Sequence, residues 1–143
     1  KHGADIYHDS AREHDLLMGI GQKLPTSLSV ALAMTLREHD IDYNDINSHS
    51  TLTSLYSILA MARIHNQNPR TYAEIMATRG EGQKIMRSFA KNLLAIIAWA
   101  EQGRISELID VMEENRTTMP PNFLQERMEQ AKAVYEIVKC GRI

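Results

Sequence analysis

Residues 62–75, ARIHNQNPRTYAEI, carry the break on which the fold turns. Before it, Leu52, Leu55, Leu59 and Ala62 recur at the i, i+3, i+7, i+10 spacing of an apolar helical stripe, which predicts a helix over about 51–65. Asn66, Gln67 and Asn68 then interrupt it. Asn68 is a good N-cap and Pro69 suits the first helical position, where its missing N–H is one that no helix would use. A short helix should therefore restart at once and run to about Ala77. The first helix ends in Arg63, Ile64 and His65, and an arginine on a largely apolar segment, one turn before a polar loop, asks for a reason.

Working outward, helical signals recur and no alternating strand pattern is found. Ser10 and Glu13 have the spacing of a capping box, which predicts a first helix over about 11–22. Pro25 either kinks that helix or opens another over about 25–39. Residues 40–50, DIDYNDINSHS, read as a connection because Asp, Asn and Ser compete for backbone hydrogen bonds. Gly80 and Gly82 punctuate the chain before a long helix over about 83–102, with Ile85, Phe89, Leu93, Ile96, Ile97 and Ala100 on one side and Gly103 as terminator. Helices over about 104–116 and 122–140 follow, separated by MPPN at 119–122; Leu124, Met128, Ala131, Val134, Tyr135 and Val138 form the apolar face of the last. The fold class is all-α: one domain over 1–143 of five to seven helices, with the 83–102 helix near its centre.

Composition narrows the function classes. Sixteen Lys+Arg against eighteen Asp+Glu give a net charge of −2, which argues against a basic nucleic-acid-binding face. The longest apolar run, LLAIIAWA at 93–100, is far shorter than the ~20 residues of a membrane span. A single cysteine, Cys140, rules out an internal disulfide framework and suits a reducing, cytoplasmic setting. The chain begins at Lys1 and not at a methionine, so a piece of a longer protein is expected.

His14–Asp15 and His39–Asp40 are the candidates for a metal site, but no further converging ligands can be placed, and none is expected. No glycine-rich phosphate loop or nucleophile elbow is present, so no catalytic residue and no cofactor-binding residue is assigned to this chain. Arg63 and Tyr56 are seven apart and share a helix side. A guanidinium on a semi-apolar face suits bidentate capture of a carboxylate. On residue chemistry alone the plainer reading is an exposed arginine near a helix C-terminus, favoured by the helix dipole. The methionines, including Met18, Met61, Met86 and Met128, read as adaptable core filler.

Three matches in order add to this. His14–Asp15 opens a helix and is followed by Gly21-Gln22-Lys23-Leu24-Pro25; the later helix ends in Arg63–Ile64; and Asn68-Pro69-Arg70-Thr71-Tyr72-Ala73-Glu74-Ile75 resembles an (Asn/Asp)-Pro-x-x-(Tyr/Trp)-x-(Asp/Glu)-Ile block. Over about residues 10–117 the chain resembles the C-terminal helical dimerisation domain of prephenate dehydrogenases, similar to the C-terminal domain of 6-phosphogluconate-dehydrogenase-like enzymes. The resemblance implies a homodimer whose helical domains form part of the substrate cleft. NAD or NADP and the general-base histidine would belong to an N-terminal Rossmann domain that this sequence lacks. The implied reaction, in tyrosine biosynthesis, is oxidative decarboxylation of prephenate or arogenate, with hydride passing to the nicotinamide and loss of CO2 aromatising the ring. Arg63 would then hold a substrate carboxylate, Tyr72 would be a cleft wall, and His14 a cleft residue.

Relatives often carry histidine where this chain has Thr26, a substrate-contacting position, and where it has Lys23. These replacements leave prephenate and arogenate both open. Three other classes are a purely structural dimerisation module, a helical dimerisation domain of another hydroxyacid dehydrogenase and an all-α chorismate mutase. The last needs several cations in one bundle pocket, and the sequence does not assemble them.

Overall fold

A computed structural model describes residues 10–49 and 51–140. Its elements are α1 (Ala11–Met18), a π turn (Gly19–Lys23), α2 (Leu24–Glu38), α3 (Tyr43–Ser48), α4 (Leu52–His65), α5 (Pro69–Ala77), α6 (Glu81–Glu101), α7 (Ile105–Thr117) and α8 (Pro121–Lys139). There is no strand among the described residues. Because α1, the π turn and α2 follow without interruption, these elements make seven rods, and the all-α expectation holds.

Local chemistry explains most helix ends. Ser10 Oγ accepts from the Glu13 amide and Glu13 Oε2 from the Ser10 amide, both at 3.1 Å, closing the expected capping box. Asn68 Oδ1 accepts from the Arg70 amide at 3.0 Å, with Pro69 in the first turn. Thr51 and Ser54 form a second capping box, at the start of α4.

Of the two alternatives at Pro25, a kink or a new helix, the new start does not occur, because the chain runs on helically from α1 through the π turn into α2. A proline inside a helix lacks a donor and its ring crowds the carbonyl four residues back. Here the preceding π turn loosens the ladder: the Leu24 amide donates to the Gly19 carbonyl, five residues back, and the helix continues through Pro25. The connection at 40–50 also hides a helix. Asp42 Oδ1 accepts from the Asn44 amide at 2.8 Å and starts α3, because the Asp and Asn residues that suit turns also suit caps. Gly82 lies inside α6 and does not punctuate it.

The π turn and α6 cross at glycines. A Cβ on Gly19 would lie 2.7 Å from the Gly82 Cα, so this approach tolerates no side chain. Gly80 precedes the crossing with φ +146°, a conformation that L side chains rarely adopt.

Burial is uneven. Among the described residues the buried hydrophobic side chains are Leu55 and Met61, while Lys23, Thr26 and Ser29 are buried polar ones. The predicted α4 stripe is only partly inside, since Leu59 and Ala62 are exposed and Met61 takes an inner position, set by where α4 meets α2. α6 meets the α1–α2 rod near its N-terminal end, where Gly82 and Ile85 lie against Gly19. Further along, Phe89, Leu93, Leu94, Ile96 and Ile97 are exposed, so α6 is central at one end and not along its length. α7 packs on α6, and α8 touches α4, where the Tyr56 hydroxyl donates to the Ala131 carbonyl. Total accessible surface is 11,685 Å² for a 16.2 kDa chain, against about 7,500 Å² for a compact monomer of that mass. No helix among the described residues is long and apolar enough to cross a membrane.

Candidate functional site

The three-residue turn after α4 brings α5 back beside α2, and a cavity of about 340 Å³ opens between these helices. Gln22, Pro25, Thr26 and Ser29 line it from the rod, Ala60, Arg63 and Ile64 from α4, and Tyr72 and Ile75 from α5. Three of the four residues singled out from the sequence, Arg63, Thr26 and Tyr72, therefore share one wall system.

The two arginines of the opening stretch differ in commitment. Arg70 Nε donates to Glu74 Oε1 at 3.0 Å on an exposed face of α5. Arg63 sits in the last turn of α4, exposed, with no hydrogen bond or ion pair to any described residue. Its neighbour His65 is tied back to the Met61 carbonyl through Nδ1 at 2.8 Å. A guanidinium left free at the rim of a cavity can offer two parallel donors to a carboxylate.

His14 stands apart. It lines an adjacent hollow of about 250 Å³ with Asp15, Lys23, Thr78, Arg79 and Gly80. Gln22 and Ile75 face both spaces and form the partition. Lys23 does not reach the Arg63 cavity: 6% exposed, it donates through Nζ to the Thr78 carbonyl. Gln83 Nε2 donates to the Met76 and Thr78 carbonyls at 3.0 and 3.3 Å, so two side chains hold the α5–α6 turn. This is a structural strap.

His14–Asp15 and His39–Asp40 lie at opposite ends of the rod, 25 residues or about 37 Å apart along a helix. No group of three or more His, Cys, Asp or Glu that could hold a metal ion occurs among the described residues.

Sequence reading missed Ser29 and Gln22 as cavity residues. With Thr26 they have the i, i+4, i+7 spacing of one helix face, a signal hidden by expecting a helix boundary between them.

Comparison with known proteins places the chain in a family. No solved structure matches the chain. It is 25% identical over 114 residues to the probable arogenate/prephenate dehydrogenase of Methanocaldococcus jannaschii, an overlap covering 80% of this chain and 26% of that protein. The chain thus spans about a quarter of that curated relative's length. Residues 10–114 match the family model described as the dimerization domain of prephenate dehydrogenase. That match covers most of the chain, from the capping box at Ser10 through most of α7, and takes in the whole cavity. The chain belongs to the prephenate dehydrogenase dimerization-domain family.

Proposed function

We propose that this chain is the dimer-forming domain, and one wall of the substrate cleft, of an NAD(P)-dependent prephenate or arogenate dehydrogenase acting in tyrosine biosynthesis. The observation that carries this reading is the uncommitted Arg63 guanidinium on a cavity it shares with Thr26 and Tyr72. Arg63 supplies the charge for a substrate carboxylate, and Tyr72 supplies a flat wall for a ring. Chorismate mutase chemistry suits the cavity poorly, because among the described residues Arg63 is the one cationic side chain lining it.

The surface excess over a compact monomer supports a homodimer, since obligate dimers bury 2,000 Å² or more in total. The nicotinamide cofactor fits elsewhere than on this chain. The described residues contain no strand and no strand-to-helix glycine turn, so they offer no cradle for a pyrophosphate. A separate domain of the parent protein would hold it and supply the redox chemistry; this chain's residues bind and orient the acid. Lone Cys140, exposed and free, fits a cytoplasmic setting.

The test is kinetic. The intact parent protein should form NADH or NADPH with prephenate or arogenate, and the 143 residues alone should not. Turnover of neither acid by the parent protein would reject the reading.

A further inference from the structure

Helix α2 carries four hydroxyl side chains, and they divide into two pairs. Ser27 Oγ donates to the Lys23 carbonyl at 2.7 Å, and Thr35 Oγ1 to the Ala31 carbonyl at 2.8 Å. Both are the ordinary back-bond by which a helical hydroxyl satisfies itself. Thr26 and Ser29 make no such bond and no other hydrogen bond to a described residue, although they are the most buried of the four, at 3% and 5% exposed. No side-chain oxygen or nitrogen among the described residues is both sealed from solvent and unpartnered. The two hydroxyls therefore open onto the space their residues line. For Thr26 this is the Arg63 cavity. Ser29 stands between that cavity and a neighbouring, mainly apolar one bounded by Leu28, Leu32 and Tyr56, so the Arg63 cavity is the polar space open to it. Three residues apart, they stand about 5–6 Å from each other on one helix face.

We infer that Ser29 is a ligand-contacting residue, and that with Thr26 it forms a hydroxyl pair receiving an uncharged hydrogen-bonding group, hydroxyl or keto, of a ligand whose carboxylate is held by Arg63. The inference rests on the proposed function for the identity of that acid. It adds the pattern the site reads: one anion at Arg63 on α4, one neutral polar group at the α2 wall of the same cavity. A second carboxylate against this pair would lack a cation within this chain's part of the site, because Lys23 is turned into the neighbouring hollow and bound to Thr78. Hydroxyls can both donate and accept, which suits a neutral partner. Because these hydroxyls open onto the cavity, a ligand that fills it takes over the hydrogen bonds that solvent would otherwise make there, and must match them to bind well.

The experiment uses the intact enzyme with prephenate and with arogenate. Ser29→Ala and Ser29→Cys should each raise KM for the preferred acid about three- to tenfold, with kcat within about twofold, the loss of one neutral hydrogen bond. Cysteine keeps most of the volume, so equal losses in the two variants assign the effect to the bond and not to the cavity left behind. If Ser29→Ala fails to fold by circular dichroism, Ser29→Cys decides alone. Ser27→Ala, whose hydroxyl is self-satisfied, should leave both constants unchanged. Unaltered KM in Ser29→Ala and Ser29→Cys, with Arg63→Ala strongly impaired, overturns the inference and leaves the proposed function standing. Unaltered KM in Arg63→Ala as well overturns both.

Discussion

The two ends of this molecule solve opposite problems. From α1 to the start of α6 the chain buries polar groups, Lys23, Thr26 and Ser29, around a crossing of glycines and a cavity with an unpaired arginine. From the middle of α6 through α8 it exposes apolar ones, with Leu94, Ile105 and Met112 each about two-thirds accessible. Buried polar groups need partners, and exposed apolar faces need cover. The first region has the character of a binding site and the second that of an interface. Lys23 finds its partner within the chain, whereas the apolar face stays uncovered among the described residues, as a dimerization domain would leave it.

The comparison breaks most visibly if the apolar face is charged. The double variant Leu94→Asp/Ile97→Asp changes two residues one turn apart on α6. If the face is a two-fold interface, each substitution counts twice. Lost burial of about 1.5–3 kcal/mol per side chain then predicts association weakened more than about 100-fold. Sedimentation equilibrium across a concentration range measures it. An unchanged association state would place the interface elsewhere.

Arg63 tests the other region. A charge-assisted bidentate pair in a partly dry cleft is worth about 2–4 kcal/mol on truncation, so Arg63→Ala in the intact enzyme should weaken substrate binding about 30- to 1000-fold. Cofactor affinity should hardly change. A loss confined to KM would mean that ground and transition states are held alike. Arg63→Lys should recover only part, because an ammonium lacks the fork. Thr26→His, which sets an imidazole beside the Ser29 hydroxyl, is the companion substitution.

How far the sequence reveals these regions follows from range. Asn68–Pro69 and the Ser10–Glu13 box act within four residues, and the helix ends they foretell are where they should be. Pro25 misleads because its effect depends on a π turn that only the backbone displays. Asp42, Asn44 and Asp45 look like a loop because the same side chains that end helices also start them. In the site, the grouping of Arg63, Thr26 and Tyr72 came from a family resemblance and not from spacing, as they lie on three separate helices. His14, read as a cleft residue, lies beyond the Gln22–Ile75 partition. Ser29 could have been found by extending one helix face through Pro25.

The glycine crossing joins the two regions, and a methyl group there should cost about 1–3 kcal/mol, the range for overpacking a tight contact. Gly19→Ala places its Cβ against the Gly82 backbone, which cannot swing aside as a side chain would. For a domain of this size the thermal midpoint should fall by several degrees. Gly21→Ala, where nothing lies within 4 Å of the added carbon, should be neutral or slightly stabilising. Equal midpoints for the two variants would mean that the helices do not meet at Gly19.

The smallest effect concerns how α7 begins within the apolar region. Arg104 Nε and Nη2 both donate to Glu107 Oε1, at 3.0 and 2.7 Å. This bond, and then the Glu107 backbone amide, hold the Glu107 carboxyl below its ordinary value of 4.5; partial desolvation opposes them. A depressed carboxylate pKa means that its contribution to stability is present above the unfolded value and fades as pH falls from 4.5 through the lower folded one. The pair is solvent-exposed, so salt should screen it and its effect on global stability should be near the limit of detection. The carboxyl carbon shift of Glu107, followed by NMR between pH 2 and 6, should titrate below that of Glu107 in Arg104→Gln. Coincident curves would show that the pair does not persist in solution. In that case α7 would rest on its contact with α6, and the apolar region would depend still more on whatever covers it.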